Sequence, residues 1–129
     1  MKNSIGITVE SIISDHCFMV RMTETDTFEI SYDRNKIDSA LNSIYQTWQG
    51  VELYPTKIEK AARLFFNLLT CHAFTDGNKR IACYEMLKFL RKNSIYLNFQ
   101  DIELEKLVYD TLEKKDFKNV VSWINKHLK

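Results

Sequence analysis

Residues 72–80 read His-Ala-Phe-Thr-Asp-Gly-Asn-Lys-Arg. Within this short stretch lie a base, a carboxylate, a Gly-Asn turn and two cations. His72 is the residue type that exchanges a proton near neutral pH and suits a general base. Asp76 is a natural ligand for Mg²⁺, which favours one or two carboxylates together with phosphate oxygens. Gly77 permits the left-handed backbone of an anion nest and presents no side chain to a phosphate. Asn78 can cap the following helix or donate to a phosphate oxygen. Lys79 and Arg80 add positive charge, and arginine grips phosphate through two N–H groups. Phe74 reads as an anchor that packs the loop onto the rest of the chain. These residue types, in this order, suit the handling of a phosphate group. An ordinary capped junction between two helices would use several of the same residues, because Asp, Gly and Asn are common in turns.

Two helical patterns position this stretch. Thr56 followed by Glu59 is a capping-box signature. From it a helix is predicted over 57–71, with Ile58, Ala61, Ala62, Phe65, Leu68 and Leu69 on a broad apolar face. A helix apolar over so much of its circumference belongs in the middle of a bundle. A second helix is predicted over 78–91, lined by Ala82, Met86, Phe89 and Leu90. Its first backbone N–H groups lack intrahelical partners, and its dipole favours negative charge in front of them.

The flanking segments are also mainly helical. Thr8 can cap a short helix over 9–17. Residues 18–30 mix polar and β-type side chains and read as an ordered loop rather than a small hairpin. Asp33 or Asn35 can cap a helix whose stripe is Ile37, Leu41, Ile44, Tyr45 and Trp48, with Gly50 as its stop. Val51, Glu52, Leu53 and Tyr54 form an extended connection before Pro55. Residues 95–99 alternate as another short extended piece. Helices follow over 101–114 and after Asp116. The expectation is an all-α fold, a compact single-domain helical bundle of five or six helices spanning 1–129, with the loop between two central helices.

Composition sets the limits. The chain has 129 residues, 45% hydrophobic and 27% charged, with three Gly and one Pro. So few Gly and Pro argue against a turn-rich β fold. A formal net charge of +1 supplies no global field to recruit nucleic acid or an acidic membrane. No apolar run reaches the roughly 18–20 residues that span a bilayer, and the first residues lack the apolar stretch of a signal peptide. The expected compartment is the cytoplasm. Cys17, Cys71 and Cys83 lack the paired short spacing of a zinc site and read as reduced, partly buried thiols.

Residues 72–80 closely resemble the signature of the Fic/Doc superfamily, HxFx(D/E)GNxR. The resemblance extends to Asp38-Ser39-Ala40-Leu41, Leu53-Tyr54-Pro55, Glu59-Lys60-Ala61-Ala62 and Phe89-Leu90-Arg91-Lys92-Asn93, segments similar to those flanking the motif in death-on-curing (Doc-like) toxins. It covers roughly residues 34–93. Beyond it, the last thirty-odd residues match in length and helical character, and the first thirty match poorly. The resemblance implies transfer of a phosphate-containing group from ATP to a protein hydroxyl. Fic proteins generally move AMP, and Doc-type members are thought to phosphorylate, with the nucleotide reversed. Carried over, His72 takes the proton from the target hydroxyl and Asp76 holds Mg²⁺. Gly77, Asn78 and the helix N-terminus bind the phosphate under attack, and Arg80 neutralises its charge. The family places a target-aligning flap where Val51, Glu52, Leu53 and Tyr54 lie, and such a flap works by strand addition.

Departures from the pattern separate the branches. The AMP-transferring motif has Gly where this chain has Lys79, and a second Arg where it has Cys83. Both departures are shared with the Doc-like pattern, whereas Gly77 is the Fic-like choice. The expected function is therefore phosphoryl transfer to a Ser/Thr hydroxyl of a translation protein, with elongation factor Tu the target the Doc resemblance suggests. AMP transfer is the alternative, and a catalytically silent nucleotide- or protein-binding module is a further one. The inhibitory helix of many Fic proteins, [S/T]xxxE[G/N], is matched only in its first half, at Thr25 and Glu29, before Ile30. A separate antitoxin protein is the implied partner.

Overall fold

The computed structural model describes residues 7–23 and 31–129. Six α-helices appear among them: α1 (Val9–Thr23), α2 (Arg34–Asn42), α3 (Lys57–Thr70), α4 (Asn78–Lys92), α5 (Asp101–Lys114) and α6 (Phe117–Lys126). A 3₁₀ turn (Ser43–Tyr45) and two short strands, β1 (Thr47–Trp48) and β2 (Val51–Glu52), complete the described elements. The all-α expectation holds. The half-matched inhibitory motif at Thr25 and Glu29 lies outside the described residues, as does most of the loop expected over 18–30.

Helix α3 is the centre of the fold. It packs on α2, α4, α5 and α6. Ala61, Ala62, Leu64 and Phe65 are fully buried, and Leu68 and Leu69 nearly so. Its start is the predicted capping box: Glu59 N–H donates to Thr56 Oγ1 at 3.0 Å, and Thr56 N–H to Glu59 Oε1 at 3.1 Å. Such a cap contributes about 1 kcal/mol. From α4, Ile81, Ala82, Met86, Phe89 and Leu90 join the same core, and Leu107, Val120 and Ile124 close it from α5 and α6. The alternating segment before α5 is extended as expected. Leu97 bridges to Leu128, and Asn98 N–H donates to the His127 carbonyl at 2.8 Å.

Two expectations fail in instructive ways. The first helix does not stop at residue 17 but runs to Thr23, through Phe18 and Val20, whose types favour strands. Burial of Ile12, His16 and Val20 along one face overrides that preference, while Phe18 stays exposed. The stripe predicted from Ile37 to Trp48 is cut short. Helix α2 ends at Asn42, where the Asn67 amide donates to the Ala40 carbonyl at 3.1 Å and to Ser43 Oγ at 2.6 Å. The helix therefore ends on a side-chain partner rather than at Gly50. Gln49 and Gly50 have φ of 50° and 81°, the paired left-handed residues of a tight hairpin turn. That turn joins β1 to β2 and leaves Trp48 exposed at 69%. Of the two caps considered, Asp33 caps α2, accepting from Asn35 N–H and Lys36 N–H at 3.0 and 3.3 Å.

Candidate active site

The loop between α3 and α4 is bound to its surroundings at nearly every residue. His72, in left-handed backbone at φ 53°, turns the chain sharply away from α3. The next residues pair with the segment before α2: Asp33 N–H donates to the Ala73 carbonyl at 2.7 Å, and Thr75 N–H to the Ser31 carbonyl at 3.1 Å. Ala73 and Phe74 are buried, and the Phe74 ring packs against His16 and Tyr32. Asn78 reaches back over the turn. Its Oδ1 accepts from Phe74 N–H at 3.1 Å, and its Nδ2 donates to the Phe74 carbonyl at 2.8 Å. The Asn78 side chain thus holds the loop shut, which leaves its backbone N–H as the group it offers to an anion.

Gly77 occupies the position before α4 with φ 83° and ψ 13°. No side chain caps α4 there, so the helix dipole faces an open N-terminus. Gly77 N–H donates to Asp76 Oδ1 at 2.8 Å, so the loop's own carboxylate occupies that amide. His72, Thr75, Asp76, Gly77, Asn78, Lys79 and Arg80 line one pocket of about 310 Å³, walled by Leu69 and Leu112. Six of the seven site residues predicted in this loop therefore meet around one opening, and Phe74 lies beneath it. Lys79, Arg80 and Leu112 also border a cleft of about 560 Å³ between α4 and α5, which adds Cys83, Leu104, Val108 and Tyr109.

The extended stretch at residues 51–54 is the second strand of a hairpin and its exit, and it lines neither opening. Glu52 is committed to an ion pair with Lys60 at 2.6 Å. Tyr54 is half-buried, edge-on to Phe117 at 5.4 Å between centroids. Only Val51 and Leu53 of the stretch, with Trp48 beside them, present exposed apolar surface.

Two thiols are pushed up by burial: Cys71, and Cys83 to about 11. All three cysteines are free and partly buried, as the spacing suggested. Among the described residues no group of three or more His, Cys, Asp or Glu could hold a metal. The donor set at the loop is one carboxylate beside an anion nest. That fits Mg²⁺, which keeps its waters and takes most ligands from phosphates.

One residue escaped the sequence reading altogether. His16 of α1, 2% exposed, stacks on Phe74 with centroids 3.8 Å apart and planes at 17°. Its Nε2 lies 2.6 Å from the Asp76 carbonyl oxygen. A histidine inside an apolar stripe scores as polar, and nothing local marks it as a partner of a loop sixty residues away.

An all-helical fold with this motif on the loop between two central helices defines a Fic/Doc domain. The family model described as "Fic/DOC family" matches residues 7–90, and the chain belongs to that family. Its members are generally protein-modifying transferases. The match begins at residue 7, well before the motif-flanking segment near residue 34, and so takes in α1 and His16. The chain is also similar to the protein named Toxin Doc from Mycolicibacterium smegmatis, at 38% identity over 65 residues. That match covers 50% of this chain and 50% of the relative.

Proposed function

We propose that the chain is a Doc-like toxin that transfers the γ-phosphoryl group of ATP to a Ser or Thr hydroxyl of a translation-machinery protein. The observation that carries this reading is the convergence of His72, Asp76, Gly77, Lys79 and Arg80 on one pocket at the uncapped start of α4. In the proposed step the target oxygen attacks the γ-phosphorus as the bond to the bridging oxygen breaks. The hydroxyl proton passes to His72, and ADP departs. Gly77 N–H and the first amides of α4 hold the phosphate under attack, and Arg80 with Lys79 offsets its charge. Such transfer asks the protein for positioning and charge stabilisation rather than covalent chemistry. Asp76 would hold a Mg²⁺ ion here, which would supply charge neutralisation.

The choice of phosphoryl over AMP rests on positions 79 and 83. Lys79 crowds the helix start where a Gly would let a diphosphate pass. Cys83, its thiol kept neutral by burial, borders the α4–α5 cleft beside Leu104, Val108 and Leu112. Position 83 thus offers no cation for a terminal phosphate, and the cations of this cleft are Lys79 and Arg80 at its rim. A separate antitoxin protein that restrains the toxin belongs to the same proposal.

The test is intact-mass measurement of translation proteins, elongation factor Tu among them, incubated with the chain, ATP and Mg²⁺. A gain of about 80 Da reports phosphoryl transfer and about 329 Da reports AMP transfer, by the mass of the group moved in each reaction. His72→Ala should abolish either. No adduct, together with a His72→Ala variant that acts like wild type in cells, overturns the enzymatic reading. A chain harmless when expressed without any partner counts against the toxin assignment.

A further inference from the structure

We infer that His16, on a helix outside the motif, is a positioning residue that sets the orientation of the anion nest; the kinetic part of this inference rests on the transferase reading above. A polar ring at 2% exposure is costly to bury unless it is hydrogen-bonded. His16 makes one such bond, from Nε2 to the Asp76 carbonyl at 2.6 Å. A carbonyl only accepts, so Nε2 carries the hydrogen. The other ring nitrogen, Nδ1, is buried with no partner. A residue that merely filled this gap between Ile12 and Val20 would do better as an apolar side chain. What the histidine adds is the single bond to the loop.

That bond acts through the peptide plane. The C=O of residue 76 and the N–H of residue 77 belong to one planar trans unit and point in opposite directions. Pinning the Asp76 carbonyl toward α1 aims Gly77 N–H away from α1. There it meets the Asp76 carboxylate at 2.8 Å, the position proposed for a phosphate oxygen. The ring also braces Phe74 by stacking, and Asn78 clamps the backbone of that same Phe74. His16 further accounts for glycine at position 77: an added Cβ would lie 3.1 Å from His16 Nε2. Two observations, the buried bond and the close approach, converge on one peptide unit, and the stack braces the loop two residues before it.

The test separates the donor from the ring. His16→Phe keeps the stacking surface and loses the N–H; His16→Gln keeps an N–H donor and loses the ring. In His16→Phe, amide hydrogen exchange at Gly77 and its neighbours should rise about tenfold or more while the amides of α3 hold their wild-type rates, the mark of a local opening. His16→Gln should restore much of the protection. In transfer assays, kcat of His16→Phe should fall by about tenfold or more with KM for the protein substrate unchanged, as for a misplaced reacting geometry, and His16→Gln should recover part of it. Wild-type exchange at Gly77 in His16→Phe overturns the inference, and so does a rise spread evenly over the chain. Should His16→Phe not fold, His16→Gln against His16→Met, similar in length and differing in the donor, makes the same comparison. A wild-type chain that transfers nothing defeats the proposed function, yet the exchange rates still decide the role of His16.

Discussion

Glu85 sits on α4 with no exposed surface, facing α1, and gives the sharpest quantitative prediction. Burial, and then the adjacent Asp15 carboxylate, push it from an ordinary 4.5 up to about 9. Asp15 is the ionised member. Burial works against its charge, but Glu85 and Lys88 hold it below its ordinary value, with Lys88 Nζ at 2.7 Å. The geometry is too loose for a full hydrogen bond, yet the Glu85 proton faces the Asp15 carboxylate and favours its ionised form. Glu85 is thus protonated in the folded chain at neutral pH and ionised in the unfolded one. Above 4.5 the folded state binds more protons than the unfolded state, and stability falls with pH until about 9. Glu85→Gln mimics the protonated acid and removes this loss. Its advantage over wild type should grow by about 1.4 kcal/mol per pH unit. At pH 7, two and a half pH units above the ordinary value, this amounts to roughly 3 kcal/mol, or a midpoint shift on the order of 10 °C. The Asp15 contribution is lost only as pH falls below 3.8, so it does not overlap the window from pH 5 to 8. Urea denaturation of both proteins at pH 5, 6, 7 and 8, followed by circular dichroism, measures the slope. A constant difference across that range would refute the reasoning, as would a wild type that gains on the variant as pH rises.

Gly77→Ala should lose about 1–2 kcal/mol in the same denaturation assay, because φ of 83° is strained for any residue with a Cβ and His16 crowds the new methyl; unchanged stability would contradict both causes. Lys79→Gly alone should not install AMP transfer, since Cys83 still lacks a guanidinium. A mass gain of about 329 Da from that single variant, the addition expected for AMP transfer, would overturn the assignment of positions 79 and 83. Lys60→Met should release the β1–β2 hairpin, which Lys60 ties through Glu52 and the Tyr54 carbonyl. Limited proteolysis within 46–54 should then speed up while the α3 core stays resistant, and a hairpin cut at the wild-type rate would remove Lys60 as its tether.

Part of this protein is local and could be read directly. The capping box at Thr56 and Glu59, the broad apolar face of α3 and the caps at Asp33 and Asp116 depend on neighbours three or four residues apart, which fixes helix starts wherever the residues lie. The motif at 72–80 is likewise contiguous, and it brought six pocket-lining residues together in advance. The end of α2 was not legible, because Asn67 terminates it from another helix. The length of α1 was not legible either, because burial against α4 outweighs the strand preference of Phe18 and Val20.

Sequence by itself therefore determined an all-helical chain with a phosphate-suited loop between two central helices, since period, capping and turn chemistry act over a few residues. Tertiary structure decided what holds that loop in its observed shape. His16 and Asp76 are sixty residues apart, and their bond exists only because α1 packs across the start of α4. The same packing seats Glu85 against Asp15, and sets which carboxyl carries the proton. Periodicity can mark a face as buried; it cannot say which distant group a buried histidine or glutamate will meet there.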